Sequence, residues 1–377
     1  MKKLVLIAAV TIASASAYAS KARLDALSNA AHLSDTKDII AKPDQAVVLP
    51  EFATVNFGDK SGGTSNAEGG MVRRMDGSAW GLYLGSRPGG NAYRTIANGA
   101  IGGTNVLNME NGINFLYAMD MGDLRWGAGL FYSKTENKRE TATLKEQKQD
   151  ASGLYASVSS TAGWDAQLSF GLANNASFTT VADQENKLKG NTTYVLSGGY
   201  WMDTMYIYAA MSSGGAKVEQ ASTTLADRKD SSMKVGVINS HKKDGTDFFY
   251  GAELLMVTKK EDADAPLAAS LGANITKQET TTLPLIIGVE HEAMSWLTLR
   301  ASLTQNFLYS VDKTSAKNGA KDGTNNVADN TAIAAGTGLK FNKLTFDATL
   351  KAATSPTGTF GTDGTNFMAA GAMTYYF

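Results

Sequence analysis

No cysteine occurs anywhere in the 377 residues, and prolines number only 6. The first absence removes disulfides and thiolate chemistry, so neither a stapled secreted fold nor a thiolate metal centre is available. Beyond the first 19 residues there is no run of about 18 uninterrupted apolar residues, so no helix is expected to cross a membrane. An excess of one charge is missing too. Lys and Arg total 35 against 36 Asp and Glu, a net charge of -1, and no overall field draws nucleic acid or an acidic partner. Histidine is scarce, with His32, His241 and His291 as the full set. His32 lies in the amino-terminal segment and the other two at tight turns, so no Ser/His/Asp network and no tetrahedral metal cluster can be assembled. "KDGTNNVADN" lacks the ligand spacing of a calcium loop. The "SGG" and "PGG" stretches do not sit between a strand and a helix as phosphate loops require. The expectation is a protein without catalytic residues, metal or cofactor.

Glycine, by contrast, is abundant at 38 residues. The chain opens "MKKLVLIAAVTIASASAYAS", with Lys2 and Lys3 before an apolar core from Leu4 to Ala13 and the small-x-small site Ala17-Tyr18-Ala19. That order is a secretory signal, with cleavage expected after Ala19 and a mature chain starting near Ser20.

From about residue 77 onward one pattern recurs: roughly ten residues of alternating polarity, then a turn. In "KLTFDATLK", Leu344, Phe346, Ala348 and Leu350 oppose Thr345, Asp347, Thr349 and Lys351. "WDAQLSFGL", "MSWLTLRASL" and "LRWGAGLFY" repeat it, placing Leu168, Leu299 and Leu130 on apolar faces. This is the two-residue period of a strand that meets two different solvents. The gaps alternate as well. Short ones such as "DMGD", "TAGW", "HKKDG" and "NK" separate long polar ones over 87–110, 134–149, 173–190, 213–230, 259–280, 305–330 and 353–366. Short turns at one end and long loops at the other are the signature of an outer-membrane barrel.

The fold expected is therefore all-β: a closed antiparallel transmembrane β-barrel of about fourteen strands, with short periplasmic turns and long extracellular loops. Residues 1–19 are the signal, 20–76 a periplasmic or plug-like segment, and 77–377 the barrel; if 46–58 join the wall the count becomes sixteen. A soluble sandwich would also be all-β, but its apolar faces would have to meet one another. The charges expected to face the lumen are Arg125, Asp165, Lys234, Glu253, Glu290, Arg300, Lys340, Asp347 and Lys351, mixed in sign and as ready to pair across strands as to guide solutes. Trp80, Trp126, Trp164, Trp201, Tyr375 and Phe377 suit interfacial girdles. Pro284, which cannot donate to a ladder, is expected near the outer rim of its strand.

The last residues, "FMAAGAMTYYF", place Phe367, Ala369, Gly371, Met373, Tyr375 and Phe377 on one parity. The terminal Phe with Tyr two positions earlier resembles the closing strand of bacterial outer-membrane β-barrel proteins. That resemblance implies that Met373, Tyr375 and Phe377 are read by the barrel-assembly machinery. A second stretch, "ALSNAAHLSDTKDIIAKPDQAVVLPEFATVNFG", resembles the opening of the long-chain fatty acid transporter family, whose barrels carry an amino-terminal hatch. Ser34-Asp35 and Lys42-Pro43-Asp44 occupy similar places, with Lys42 where that family has Asn and Asp44 where it has Ala.

Three functions follow. The first is a porin-like channel for passive diffusion of small solutes, on the strength of a polar, Gly-rich inner face and more strands than side chains alone can fill. The second is a hatched transporter of hydrophobic compounds, and the third an envelope scaffold or surface receptor. The partners expected are outer-membrane lipid, the assembly machinery and small solutes, with no nucleic acid. Association into a homo-oligomer is left open by the sequence.

Overall fold

A computed structural model describes residues 20–58, 67–86, 91–101, 106–109, 111–138, 141, 143–261, 275–316, 323–326, 331–353 and 367–377. Its strands in chain order are β1 (Phe52–Gly58), β2 (Glu68–Met75), β3 (Ser78–Leu84), β4 (Ile113–Asp120), β5 (Leu124–Asn137) and β6 (Leu144–Ser160). There follow β7 (Trp164–Thr180), β8 (Glu185–Gly190), β9 (Thr193–Met202), β10 (Met205–Gln220), β11 (Thr223–Lys243) and β12 (Thr246–Glu261). The last are β13 (Ile275–Met294), β14 (Leu297–Ala316), β15 (Gly323–Asn326), β16 (Thr331–Phe341), β17 (Leu344–Ala353) and β18 (Phe367–Tyr376). Consecutive strands pair antiparallel, and β1 pairs with both β2 and β18, so the sheet has no free edge. The segments β8 and β9 share the neighbours β7 and β10, and β15 and β16 share β14. Each couple is one interrupted stave, and the barrel has sixteen staves.

The alternation in the sequence becomes the two faces of this wall. Along β17, Thr345, Asp347 and Thr349 are buried inside while Phe346, Ala348 and Leu350 are exposed outside. In β4 the same alternation exposes Ile113, Phe115 and Tyr117 and buries Asn114, Leu116 and Ala118. Leu124, Leu130 and Tyr132 of β5, Leu299 and Leu303 of β14, and Met373 of β18 extend the outer apolar surface. A water-filled exterior would penalise such a belt, whereas hydrocarbon requires one, together with a ladder that leaves no backbone group unpaired. The chain is an integral outer-membrane β-barrel, and the soluble sandwich is excluded because Leu299 and Phe346 face outward rather than each other. No described helix is long and apolar enough to cross a membrane.

At one end the turns are tight and carry residues in the left-handed region. Asp76-Gly77 and Asp244-Gly245 place both central residues at positive φ (40° and 80°, 48° and 72°), the geometry that matches strand twist in two-residue hairpins. Both ends of the barrel wall lie on this side, where the backbone N–H of Phe377 donates to the Glu51 carbonyl.

Three expectations need correction. The wall begins at Phe52 rather than at residue 77; part of 46–58 joins it, and the alternative of sixteen staves holds over fourteen. The stave β2, "EGGMVRRM", escapes detection because paired glycines and paired arginines break its alternation. Segments 173–190 and 213–230, read as loops, are largely strand: β10 and β11 turn only at Ala221-Ser222. Once a hairpin rises above the lipid both of its faces are wet, so polarity stops alternating although the ladder continues. Pro284 sits in the middle of β13, not at a rim. Its missing N–H is absorbed by a bulge, where the register against β14 shifts between Thr282 and Pro284.

Candidate functional site

Residues 20–49 lie inside the bore. Leu24, Leu27 and Ala31 recur at helical spacing, and helix α1 (Lys21–Ala26) forms there with Ser20 as its N-cap residue. Two 3-10 turns follow, Asp38–Ile40 and Pro43–Val47, the second with proline at its start where no N–H is needed. Helix α1 packs against β14, β16, β17 and β18, and the second turn against β3, β4, β5 and β6, so the segment reaches from one wall to the opposite one. Leu24, Leu27, Ala30 and Leu33 pack with Tyr206, Tyr208, Ile238, Phe249 and Ile286 of the wall. Ile39, Ala46 and Leu49 join a second cluster with Val72, Leu116, Phe131 and Tyr155.

Two wall glycines show how closely this plug fits. A Cβ on Gly336 would lie 2.6 Å from Ala26 Cβ, and one on Gly127 would run into the Asp44 nitrogen and the Pro43 carbonyl carbon. Plug backbone at Gly127, and the Ala26 methyl at Gly336, occupy the space that another residue's side chain would fill.

Charges pin the segment from both sides. Arg23 donates to both Glu290 oxygens at 2.8 and 2.9 Å and to Asp35 at 3.2 Å. Arg300 donates to Glu290 at 2.5 Å and to Asp347 at 2.6 Å, and Ser20 Oγ donates to the other Asp347 oxygen at 3.1 Å. All of these side chains are buried. Across the bore, Asp44 accepts hydrogen bonds from Ser157 and Ser159 of β6. His32 rests with its ring 4.7 Å from Phe249 and 6.0 Å from Trp201, and neither ring nitrogen has a hydrogen-bond partner among the described residues. Burial accordingly pushes its imidazole down to about 4.

The bore is also entered from the extracellular side. Helix α2 (Asn91–Ile101) folds onto the inner face of β8, β10 and β11, burying Tyr93, Ala97 and Ala100. Its Arg94 is completely buried and donates to Asn174 Oδ1 at 2.8 Å, to Gln149, and to the Leu107 and Asn175 carbonyls. Here the stave beside β7 is interrupted: the pairing of β7 with β9 ends at Gly171 and its pairing with β8 begins at Asn175. Between α2 and the plug lies a cavity of about 550 Å³. Ile40, Tyr93, Phe131, Tyr155 and Val195 give it a mainly apolar lining, with Asn191, Thr193, Asp230 and Lys259 at its polar points.

The sequence-predicted wall charges fall as follows. Glu290, Arg300 and Asp347 are brought together around Arg23. Lys234 pairs with Glu253 at 3.1 Å, and Glu253 accepts from the Tyr208 hydroxyl at 2.7 Å. Asp165 accepts from Tyr206 at 2.7 Å and lies 4.0 Å from Lys42, while Arg125 is 3.7 Å from Asp120. Lys340 and Lys351 stand opposite the inward Thr345 and Ala334 in register. Trp201 faces inward, against Tyr206, and does not belong to a girdle. Met373, Tyr375 and Phe377 point outward on the closing strand, with Arg73 over the Phe377 ring at 4.5 Å. Ala17 and Ala19 lie outside the described residues. Arg23 and Arg94 were not singled out from the sequence, and a lone arginine inside a helical pattern carries no signal of its own.

No family model matches the chain, and no curated protein does. Among solved structures it is similar to BauA, the ferric preacinetobactin receptor from Acinetobacter baumannii (8% identity, TM-score 0.41, covering 80% of this chain and 54% of that one). It is also similar to CdiB from Acinetobacter baumannii (6% identity, TM-score 0.44, 87% and 60%). A third is a Pseudomonas aeruginosa FadL homologue (11% identity, TM-score 0.41, 91% and 94%). The chain thus spans little more than half of the receptor and of CdiB.

Proposed function

We propose that this barrel is a gated conduit for small molecules with apolar character, held shut at its periplasmic side by residues 20–49. The observation that carries the reading is the close contact of the plug with the wall at Gly127 and Gly336, on opposite sides of the bore. A sixteen-stave cylinder emptied of that segment has the width of an open aqueous channel. With the segment in place, free diffusion of polar solutes requires it to move. The cavity between plug and α2 supports the ligand class: it is concave, mostly apolar and carries a few convergent polar groups, as small-molecule sites do. The plug therefore favours the hatched transporter over the freely open pore.

Conductance in planar bilayers tests this directly. The full chain should give a silent baseline with rare openings, and a chain lacking 20–49 should give long, large openings. Steady porin-like conductance from the full chain would overturn the reading. Native mass spectrometry from detergent should find an amphipathic molecule retained by the wild type, and less of it in Tyr155→Lys.

A further inference from the structure

We infer that signal cleavage supplies a buried cation on which the plug depends: the α-ammonium of Ser20, paired with Asp347. The inference rests on the plugged-barrel reading and goes beyond it. The buried chain of ion pairs runs Asp35, Arg23, Glu290, Arg300, Asp347, which is three carboxylates on two guanidinium groups. With all three carboxylates ionised one negative charge is left over, and a surplus charge in a buried site is costly until a proton on Asp35, whose carboxyl burial raises to about 7, or a partner cation offsets it. Asp347 closes the chain. One of its oxygens takes Arg300, and the other takes the hydroxyl of Ser20, itself fully buried. The nitrogen of Ser20 is three bonds from that hydroxyl oxygen, within reach of the same carboxylate. A buried acceptor waits nearby as well: the Tyr376 hydroxyl, in the electrostatic range of Asp35 and Asp347, has no hydrogen-bond partner among the described residues.

Hydrolysis by a signal peptidase consumes one water and breaks the Ala19–Ser20 amide. Ala19 leaves with the new carboxylate, and Ser20 retains the nitrogen as an ammonium at neutral pH. An amide nitrogen there is neutral and offers one donor, whereas the ammonium brings a full charge and three. Processing at this bond, and not two residues to either side, therefore balances the cluster. It also makes plug seating an event that follows export.

The chain's lack of cysteine allows a clean test, with Ala30→Cys supplying a single reporter thiol buried in the plug. Intact mass of purified protein should show a chain starting at Ser20. Its α-amine should react with an N-hydroxysuccinimide ester at least about tenfold more slowly in the folded barrel than in guanidinium. Inserting two alanines between Ala19 and Ser20 should speed maleimide labelling of the reporter thiol in the folded protein, and Asp347→Asn should reverse part of that gain. A folded amine that reacts as fast as the unfolded one while the thiol stays protected would overturn the ammonium pin and leave the plug standing. Free labelling of the thiol in the uninserted chain would instead remove the plug itself, and a different mature start would remove the pin.

Discussion

His32 and Asp35 titrate in opposite senses over one pH window, and the plug feels the difference. Burial pushes the Asp35 carboxyl up from 3.8 to about 7, against the pull of Arg23, so docking takes up a proton between those values. Burial pushes His32 down from 6.5 to about 4, so docking expels a proton between those values. Asp35 thus strengthens docking as pH falls from about 7 towards 4, and His32 weakens it as pH falls from 6.5 towards 4. In the wild type the two slopes oppose each other, and plug docking should be nearly flat from about pH 6.5 to 4.5. His32→Asn should leave the aspartate alone, so that docking tightens on acidification by up to about 1.4 kcal/mol per pH unit. Asp35→Asn should give the reverse slope. Maleimide labelling of the Ala30→Cys reporter across the pH range reads both, and two parallel slopes would refute the compensation. The sequence singles out His32 only as one of three histidines, in the amino-terminal segment. Its partners Phe249 and Trp201 come from strands more than 150 residues away, and no local pattern announces such a pocket.

At the scale of the element, a wall glycine meets the plug at two places, one at a 3-10 turn and one at the end of α1. Gly127 lies on the inward face of β5 beneath Pro43 and Asp44, and Gly336 on β16 beneath Ala26. Each sits in an ordinary strand conformation; at Gly127 a larger residue meets only the plug, whereas at Gly336 it meets Ala26 first and also comes within 2.9 Å of the Ala348 carbonyl oxygen of the wall. Gly127→Val and Gly336→Val should therefore leave a folded, heat-modifiable barrel while raising the open probability in bilayers severalfold. Valine at an inward glycine with no plug contact close by should not. Equal conductance from all three would mean that the segment yields without moving away. The strands themselves were legible wherever one face meets lipid and the other water, as in β17, because polarity then records orientation residue by residue. Legibility failed where that contrast fades: in β2 with its glycine and arginine pairs, and in the hairpins of β10 and β11 above the membrane. The plug was legible as a candidate from its resemblance to a hatch. Its ion pairs were not, since Arg23 and Glu290 are 267 positions apart.

Across the whole molecule two kinds of stability coexist. The wall is a single closed ladder in which each stave holds its neighbours, and opening it anywhere exposes unpaired backbone to hydrocarbon. The plug is about thirty residues held by side-chain packing and a few buried charges, so it belongs to the low end of the local-unfolding spectrum. Trp201 distinguishes the two, because its ring faces into the bore against His32 and Tyr206, whereas Trp80, Trp164 and Trp296 are exposed on the outer surface. Guanidinium titration should accordingly show two transitions. The first should change fluorescence in the wild type and vanish in Trp201→Phe, with circular dichroism still reporting a full complement of strand. The second, at much higher denaturant, should collapse the strand signal. Arg23→Met should move the first midpoint down and leave the second in place, since it leaves Asp35 without its guanidinium and Glu290 with Arg300 alone, at a cost of about 3 kcal/mol within the plug. A single transition shared by both probes would mean that plug and wall unfold as one body, and a conduit that opens by releasing its plug could not work that way.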